Sequence, residues 1–363
     1  LYQCPVGHPD HATALTNLTC ARFQYYIRDD LEEVDATISH FRDALALRPQ
    51  PHPDHPFSLY NLARVLTWHH SKKGTVADIR EAAQLYCELL PLCPDGSYLR
   101  SIVAGNDVIC VIGGSSELSM DASDEAVHHR RVVLELCPLG HPFRSGALAS
   151  LGRVVKARFD QHGSIDDLDT SIQLHREAAS LTRKRRAKRD IYLNDLTCSL
   201  RAERDTYLND LACSLVSRFD HQGKPNDLHE AISFHEEALR LHRAGHKSRA
   251  FSLDNLGGVL VKRFKECGNI DDITRAISLY RESLTLCSPG HPRRDTKLKN
   301  LALALKTRYR KSHIRQDLNE AIDLHRESLW LTPERHRLVR ENLLHEIEVI
   351  PWNFWEFQGI PLK

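Results

Sequence analysis

Asp272-Ile273-Thr274-Arg275-Ala276-Ile277-Ser278-Leu279-Tyr280-Arg281-Glu282-Ser283-Leu284-Thr285-Leu286 is the stretch whose reading decides the fold. Counted from Ala276, the residues at +1, +3, +7, +8 and +10 are apolar or small, which is one face of a helix. The stretch has copies. Its anchor position returns as Thr37, Ala82, Ala126, Ser171, Ala231, Ala276 and Ala321, with successive spacings of 45, 44, 45, 60, 45 and 45. Ten residues after each anchor stands a leucine: Leu47, Leu92, Leu136, Leu181, Leu241, Leu286 and Leu331. A fixed period of this size marks a stacked repeat, in which each unit hides its apolar face against the next.

Outward from the anchors, the punctuation defines the rest of the repeat. Asp78, Asp167, Asp227, Asp272 and Asp317 precede the anchors by four residues and read as N-caps. Glu81, Glu230 and Glu320 fall at the capping-box position. Gly74, Gly163, Gly223 and Gly268 lie four residues further upstream and are suited to close a preceding helix in the left-handed conformation. Pro clusters between repeats, at 49–56, 91–94, 138–142 and 289–292. Two helices per repeat follow: A, a Gly turn, B, a Pro turn. Helix A reads clearly at Leu253-Asp254-Asn255-Leu256 through Phe264 and at Leu298-Lys299-Asn300-Leu301 through Tyr309. The third copy of A, at 98–112, is degenerate, and Gly113-Gly114-Ser115-Ser116 reads as a linker after it.

Composition agrees with this reading. The 17 Gly and 16 Pro of 363 residues are about 9% of the chain, below the usual ~12%. With 49 basic and 48 acidic residues, no global field draws the chain to nucleic acid or anionic lipid. The longest purely apolar run, Val108 to Ile112, is far too short to span a bilayer. No secretory leader is visible. Met120 is the only methionine, which reads as a fragment or a processed product. The ten Cys include no C-x-x-C pair, and the Cys-His pairs of the turns are far apart in the chain. Reduced thiols, no metal and a cytoplasmic or nuclear setting are therefore expected.

On these residues the chain resembles the tetratricopeptide repeats. Leu253, Leu256-Gly257 and Leu260 match that family's helix A, and Ala276, Tyr280, Ser283 and Pro289 match its helix B. The period here is longer, and the likeness runs from Pro9 to Ile350. In detail it resembles the kinesin-light-chain-like repeats of fungal proteins, some of which carry a caspase-like CHAT protease domain. The resemblance implies an all-α, right-handed superhelical solenoid over 1–350 with seven B helices, followed by an aromatic tail at 351–363. It implies a protein–protein interaction scaffold that holds an extended or helical peptide in a concave groove. The alternative is a regulatory or sensor arm of a larger signalling or CHAT-type protease protein.

The spacing of 60 has a visible cause. Arg189 to Leu200 and Arg204 to Leu215 are near-identical copies, a 15-residue duplication. No Gly or Pro separates them, so one long helix from about Asp190 to Phe219 is expected. Only one copy can fill the helix-A slot, so the first should protrude with Tyr192, Leu193 and Leu196 partly exposed.

For a peptide groove, the recurring Asn-Leu pairs nominate Asn17, Asn61, Asn255 and Asn300, because an amide can bond a peptide backbone in both directions. The same residues could instead bond a neighbouring repeat. The helix-A register adds Tyr60, Arg64, Arg153, Lys156, Asp254, Lys262, Lys299 and Lys306. Six of these eight are basic, which points to an acidic peptide or a terminal carboxylate; a solvated Lys/Arg face is the competing reading. His175, His235 and His325 fall where other repeats carry Phe41, Tyr86 or Tyr280. They read as rings filling an aromatic slot, and a stack of titratable imidazoles is the other reading. His8, His141 and His291 each precede Pro and should fasten the inter-repeat turn.

Catalysis has no foothold, since the Ser, Cys and His placements follow the repeat instead of converging once. No cofactor motif occurs, and the partner expected is protein, with no nucleic acid and no membrane. Arg183, Lys184, Arg185, Arg186, Lys188 and Arg189 form a basic run that reads as a nuclear-import signal or a solvated loop. An eighth helix A is expected at about 334–350. The tail with Trp352, Phe354, Trp355 and Phe357 would then cover the last face of the stack or be left as a sticky end.

Overall fold

The computed structural model describes residues 4–29, 34–103, 107–119, 121–187 and 194–331. The 334–350 helix, the aromatic tail, Tyr192 and Leu193 lie outside these residues, as do the side chains of Leu196 and of the basic run. Among the described residues every regular element is a helix. In chain order these are α1 (His11–Asp29), α2 (Asp35–Ala46), α3 (His55–Lys73), α4 (Val76–Leu92), α5 (Tyr98–Ile102), α6 (Val108–Glu117), α7 (Asp124–Glu135) and α8 (Arg144–His162). They continue as α9 (Ile165–Ala187), α10 (Asn194–Gln222), α11 (Pro225–Leu241), α12 (Arg249–Cys267), α13 (Ile270–Thr285), α14 (Arg294–Ser312) and α15 (Arg315–Leu331). The B helices are α2, α4, α7, α9, α11, α13 and α15, one for each anchor. Short turns fold each A helix back against its B helix, most extensively in α3–α4, α8–α9, α12–α13 and α14–α15. By its contacts the chain divides into two compact units, Leu1–Glu203 and Arg204–Lys363.

The A-to-B turn works as the glycines imply. Gly74, Gly163, Gly223 and Gly268 take φ of 65–73°, and each N–H bonds the carbonyl four residues back. In the last pair His313 adopts the same left-handed conformation, at φ 53°.

The aspartates do something other than cap. Each stands at the third position inside helix B, and the capping positions hold Thr75, Lys224 and Asn269 in three of the pairs. The carboxylate instead receives a two-pronged bond from an arginine nine residues upstream, at the end of helix A. The pairs are Arg158–Asp167, Arg218–Asp227, Arg263–Asp272 and Arg308–Asp317, all at 2.5–2.9 Å. In the second repeat His69 takes the arginine's place and meets Asp78 at 2.6 Å. An N3 carboxylate still faces the positive helix end, and the matching guanidinium fork locks A to B. The capping-box reading fails for Glu81 and Glu320 in the same way. They receive Arg42 and Arg281 from the preceding B helix, 39 residues away.

A second clamp joins the far ends of three of the pairs. Arg144, Arg249 and Arg294, at the first position of helix A, reach Glu177, Glu282 and Glu327, 33 residues on, at 2.6–2.9 Å. Arg204 pairs with Glu237 in the same way. The same three helix-A arginines also donate to the carbonyls of Cys137, His242 and Cys287, seven residues back. The turn they brace is the Gly-His turn. Gly140 takes φ 92° and His141 N–H closes the turn on Pro138 O at 2.9 Å, the geometry that favours Gly at the third position. The imidazole Nδ1 of His8, His52, His141, His246 and His291 then accepts the N–H two residues on, at 3.0–3.3 Å. The turn histidines thus cap the start of the next helix A.

The third repeat departs from expectation. Gly113-Gly114-Ser115-Ser116 is not a linker but the last turns of α6. Two neighbours account for this. A Cβ on Gly114 would come within 3.0 Å of the His70 ring, so the small residue permits close packing on α3. Arg130, buried at 3% exposure in the aromatic-slot position of α7, donates to Ser115 O and Leu118 O and satisfies the helix end.

Continuity of α10 through Glu203 agrees with the single long helix expected there. The second copy fills the slot. Tyr207, Leu208, Leu211, Ala212 and Leu215 are buried, and Arg204 begins the clamp to Glu237.

Candidate functional site

In the first unit, Asn17 is exposed on α1, while Asn61 and Arg64 are half-buried on α3. The Arg64 guanidinium lies over the Phe23 ring, 5.5 Å from its centroid. The neighbouring Tyr60 hydroxyl is bonded to Asp107, and burial pushes both groups above their ordinary pKa ranges. On α8, Arg153 and Lys156 are half-buried, and Lys156 pairs with Asp160 at 2.5 Å while leaning on the Phe159 ring.

In the second unit, the predicted residues lie on α12 and α14. Asn255 donates to Asn209 on α10 at 2.6 Å, the bond to a neighbouring repeat that competes with a peptide contact. Lys262 grips both carboxylate oxygens of Asp220 at 2.5 and 2.6 Å. Lys299 meets Asp295 at 2.9 Å, and Lys306 is half-buried. Asp254 pairs with Lys297, which is 4% exposed, and burial holds that ammonium below its usual pKa. At least three of the six predicted cations, Lys156, Lys262 and Lys299, are thus already neutralised within the fold.

Between these helices lies a cleft of about 170 Å³ lined by Gly258, Val261, Lys262 and Lys265 of α12, Tyr280 of α13, and Asn300, Leu303 and Ala304 of α14. Its wall is largely apolar. Leu303, on that wall, is 44% exposed, and Lys265 is exposed at the rim. Lys262 and Asn300 are the predicted groove residues that the cleft brings together. Helix A register finds these two, but not Tyr280 or Leu303. Tyr280 reaches the cleft because Gly257 and Gly258 give its ring room: a Cβ on Gly257 would stand 2.8 Å from it.

Asp205, His242 and Ser252 also form a bonded chain, with His242 Nδ1 2.7 Å from Ser252 Oγ and Nε2 against Asp205. The residue types are those of an acid, a base and a hydroxyl. Ser252 is 2% exposed and is not among the residues that line the cleft. His242 occupies the turn position that Cys137 and Cys287 hold elsewhere, and the chain fastens that turn. Among the described residues no three His, Cys, Asp or Glu side chains gather as a metal site. No described helix is long and apolar enough to cross a membrane.

No family model and no curated protein matches the chain. Solved structures do. A Podosopora anserina putative kinesin light chain with nearly identical TPR-like repeats is 14% identical, with 77% of this chain and 99% of that chain covered at TM-score 0.35. BtubC (BKLC) from P. vanneervenii is 15% identical, with 84% and 93% covered at TM-score 0.38. The P58(IPK) TPR domain is 14% identical, with 88% and 99% covered at TM-score 0.21.

Proposed function

We propose that this chain is a protein-interaction scaffold whose helix-A face takes an extended or helical peptide segment. The observation that carries the reading is the cleft between α12 and α14. It is apolar in its walls, carries the Asn300 amide on one side, and has two lysines along the other. Its volume of about 170 Å³ suits one apolar side chain, with Asn300 available to the flanking backbone. Lys265 at the rim favours a ligand with a carboxylate near its anchor. Lys262 is a weaker argument for acidity, because Asp220 already holds it.

The test follows from the lining. A Cβ on Gly258 would meet only the Tyr280 hydroxyl, at 3.6 Å, so Gly258→Leu fills the cleft without displacing backbone. Leu303→Glu makes its wall charged. Peptides selected from a displayed library by the wild-type protein should lose at least about tenfold in affinity for either variant, roughly 1.4 kcal/mol. Helicity should be unchanged. Equal binding by both variants would place the partner surface elsewhere.

A further inference from the structure

Besides Phe41 and Arg130, the aromatic slot of the B helices holds two ring chemistries that can be compared directly. Tyr86 and Tyr280 hold it in α4 and α13, and His175 and His235 hold it in α9 and α11. The surroundings match closely. A Cβ on Gly152 would stand 2.7 Å from the His175 ring, as one on Gly257 would stand 2.8 Å from Tyr280. Ala212 precedes His235 by the same interval as Ala63 precedes Tyr86, and both alanines are fully buried. His175 and His235 are each 1% exposed, and the Nδ1 atom of each is buried without a hydrogen-bond partner.

We propose that the α8–α9 and α10–α11 pairs are acid-labile joints, which open locally when His175 or His235 takes a proton, while the Tyr-slotted pairs α3–α4 and α12–α13 stay closed. A proton on either ring would place a charge in a slot where the described residues offer it no anion. Facing His175 from α8 is Arg153, a like charge. In this pair Asp167 is held by Arg158, Glu177 by Arg144 and Asp160 by Lys156, while Asp166 is exposed. Around His235, Glu237 is held by Arg204, Asp227 by Arg218 and Asp205 by His242. From the next pair, Arg275 holds Glu236 and Lys297 holds Asp254. His129 differs, because its ring is bonded to Ser115 Oγ at 3.0 Å.

Burial depresses both His175 and His235 to about 4, against about 6.5 in an opened chain. A depressed folded value means that the stabilisation is complete above the unfolded pKa. It is lost as pH falls from about 6.5 through about 4, with the opening constant rising up to roughly tenfold per pH unit for each ring.

Hydrogen exchange followed by mass spectrometry, corrected for intrinsic rates, tests this on the full chain. Between about pH 7 and pH 5, exchange in α8–α9 and in the second half of α10 with α11 should accelerate about 20-fold in all, most of it below pH 6. Exchange in α3–α4 and α12–α13 should not. His175→Tyr and His235→Tyr, which copy the occupants of the slot in α13 and α4, should each flatten the slope in their own pair alone. Equal slopes in all four pairs, or a slope that survives the tyrosine, would overturn the proposal. The ring resonances of the wild type provide a check that needs no variant: both imidazoles should still be neutral near pH 5, and titration near 6.5 would refute it.

Discussion

Two adjacent glycines in α12 should respond oppositely to the same substitution. Gly257→Ala places a methyl 2.8 Å from the Tyr280 ring, and such overpacking costs about 1–3 kcal/mol. Gly258→Ala meets nothing closer than 3.6 Å, so the helix propensity of alanine should stabilise by up to about 1 kcal/mol. Urea denaturation of the two variants reads the sign directly. The Arg263–Asp272 fork is another single-residue lever. Asp272 is 4% exposed, so Arg263→Ala leaves a nearly buried carboxylate uncompensated. It should cost about 2–3 kcal/mol, discounted from the ~3–5 of a fully buried pair because the guanidinium is partly solvated. The double variant Arg263→Met/Asp272→Leu should recover most of that loss.

At the scale of the element, helices and their period were legible because the anchor column and the terminal Leu recur without a gap. The roles of the aspartates were not. An Asp before an apolar stripe looks the same whether it caps the helix or stands two residues inside it. The arginine nine residues upstream carried the distinction, and that pairing becomes visible only when helix A and helix B are aligned together. Helix α6 escaped for another reason. Two consecutive glycines oppose a helix on local grounds, and the compensation comes from His70 and Arg130, which are distant in sequence. The duplicated segment offers a clean element-level test. Deleting residues 189–203 would bring Arg204 to eight residues after Leu181, the interval that separates Leu241 from Arg249 and Leu286 from Arg294. Since the second copy fills the slot, unfolding of this deletion variant should stay within about 0.5 kcal/mol of wild type. A large loss would show that the first copy is packed.

Across the whole molecule, the candidate site was less legible than the fold. Helix register identifies which side chains share the A face, but not which are already bound to a neighbour. Lys262, Lys299 and Asn255 were drawn to that face by register, and each meets an acceptor inside the protein. The apolar cleft needed Tyr280, a B-helix residue whose ring shows through only where helix A is glycine. Stability in such an array is largely a sum of pair and neighbour terms. The damage from Arg263→Ala should therefore appear as faster exchange in α12–α13, with protection in α3–α4 unchanged.

The clamps share a property that bears on how such a chain can grow. The Arg–Asp fork spans 9 residues, the turn brace 7 and the Arg–Glu clamp 33. Each is shorter than the 45-residue period, and each closes within one period or at its junction with the previous one. A stretch of gene one period long therefore carries these three fasteners with it, while the bonds between neighbouring repeats, Arg281–Glu320 and Asn255–Asn209 among them, have to be remade at each new junction. The extra 15 residues lie upstream of Arg204, ahead of the clamp and fork that this arginine's pair uses. An insertion at that point separates the arginine from the turn that it braces in the other pairs, yet it leaves the Arg204–Glu237 clamp and the Arg218–Asp227 fork closed.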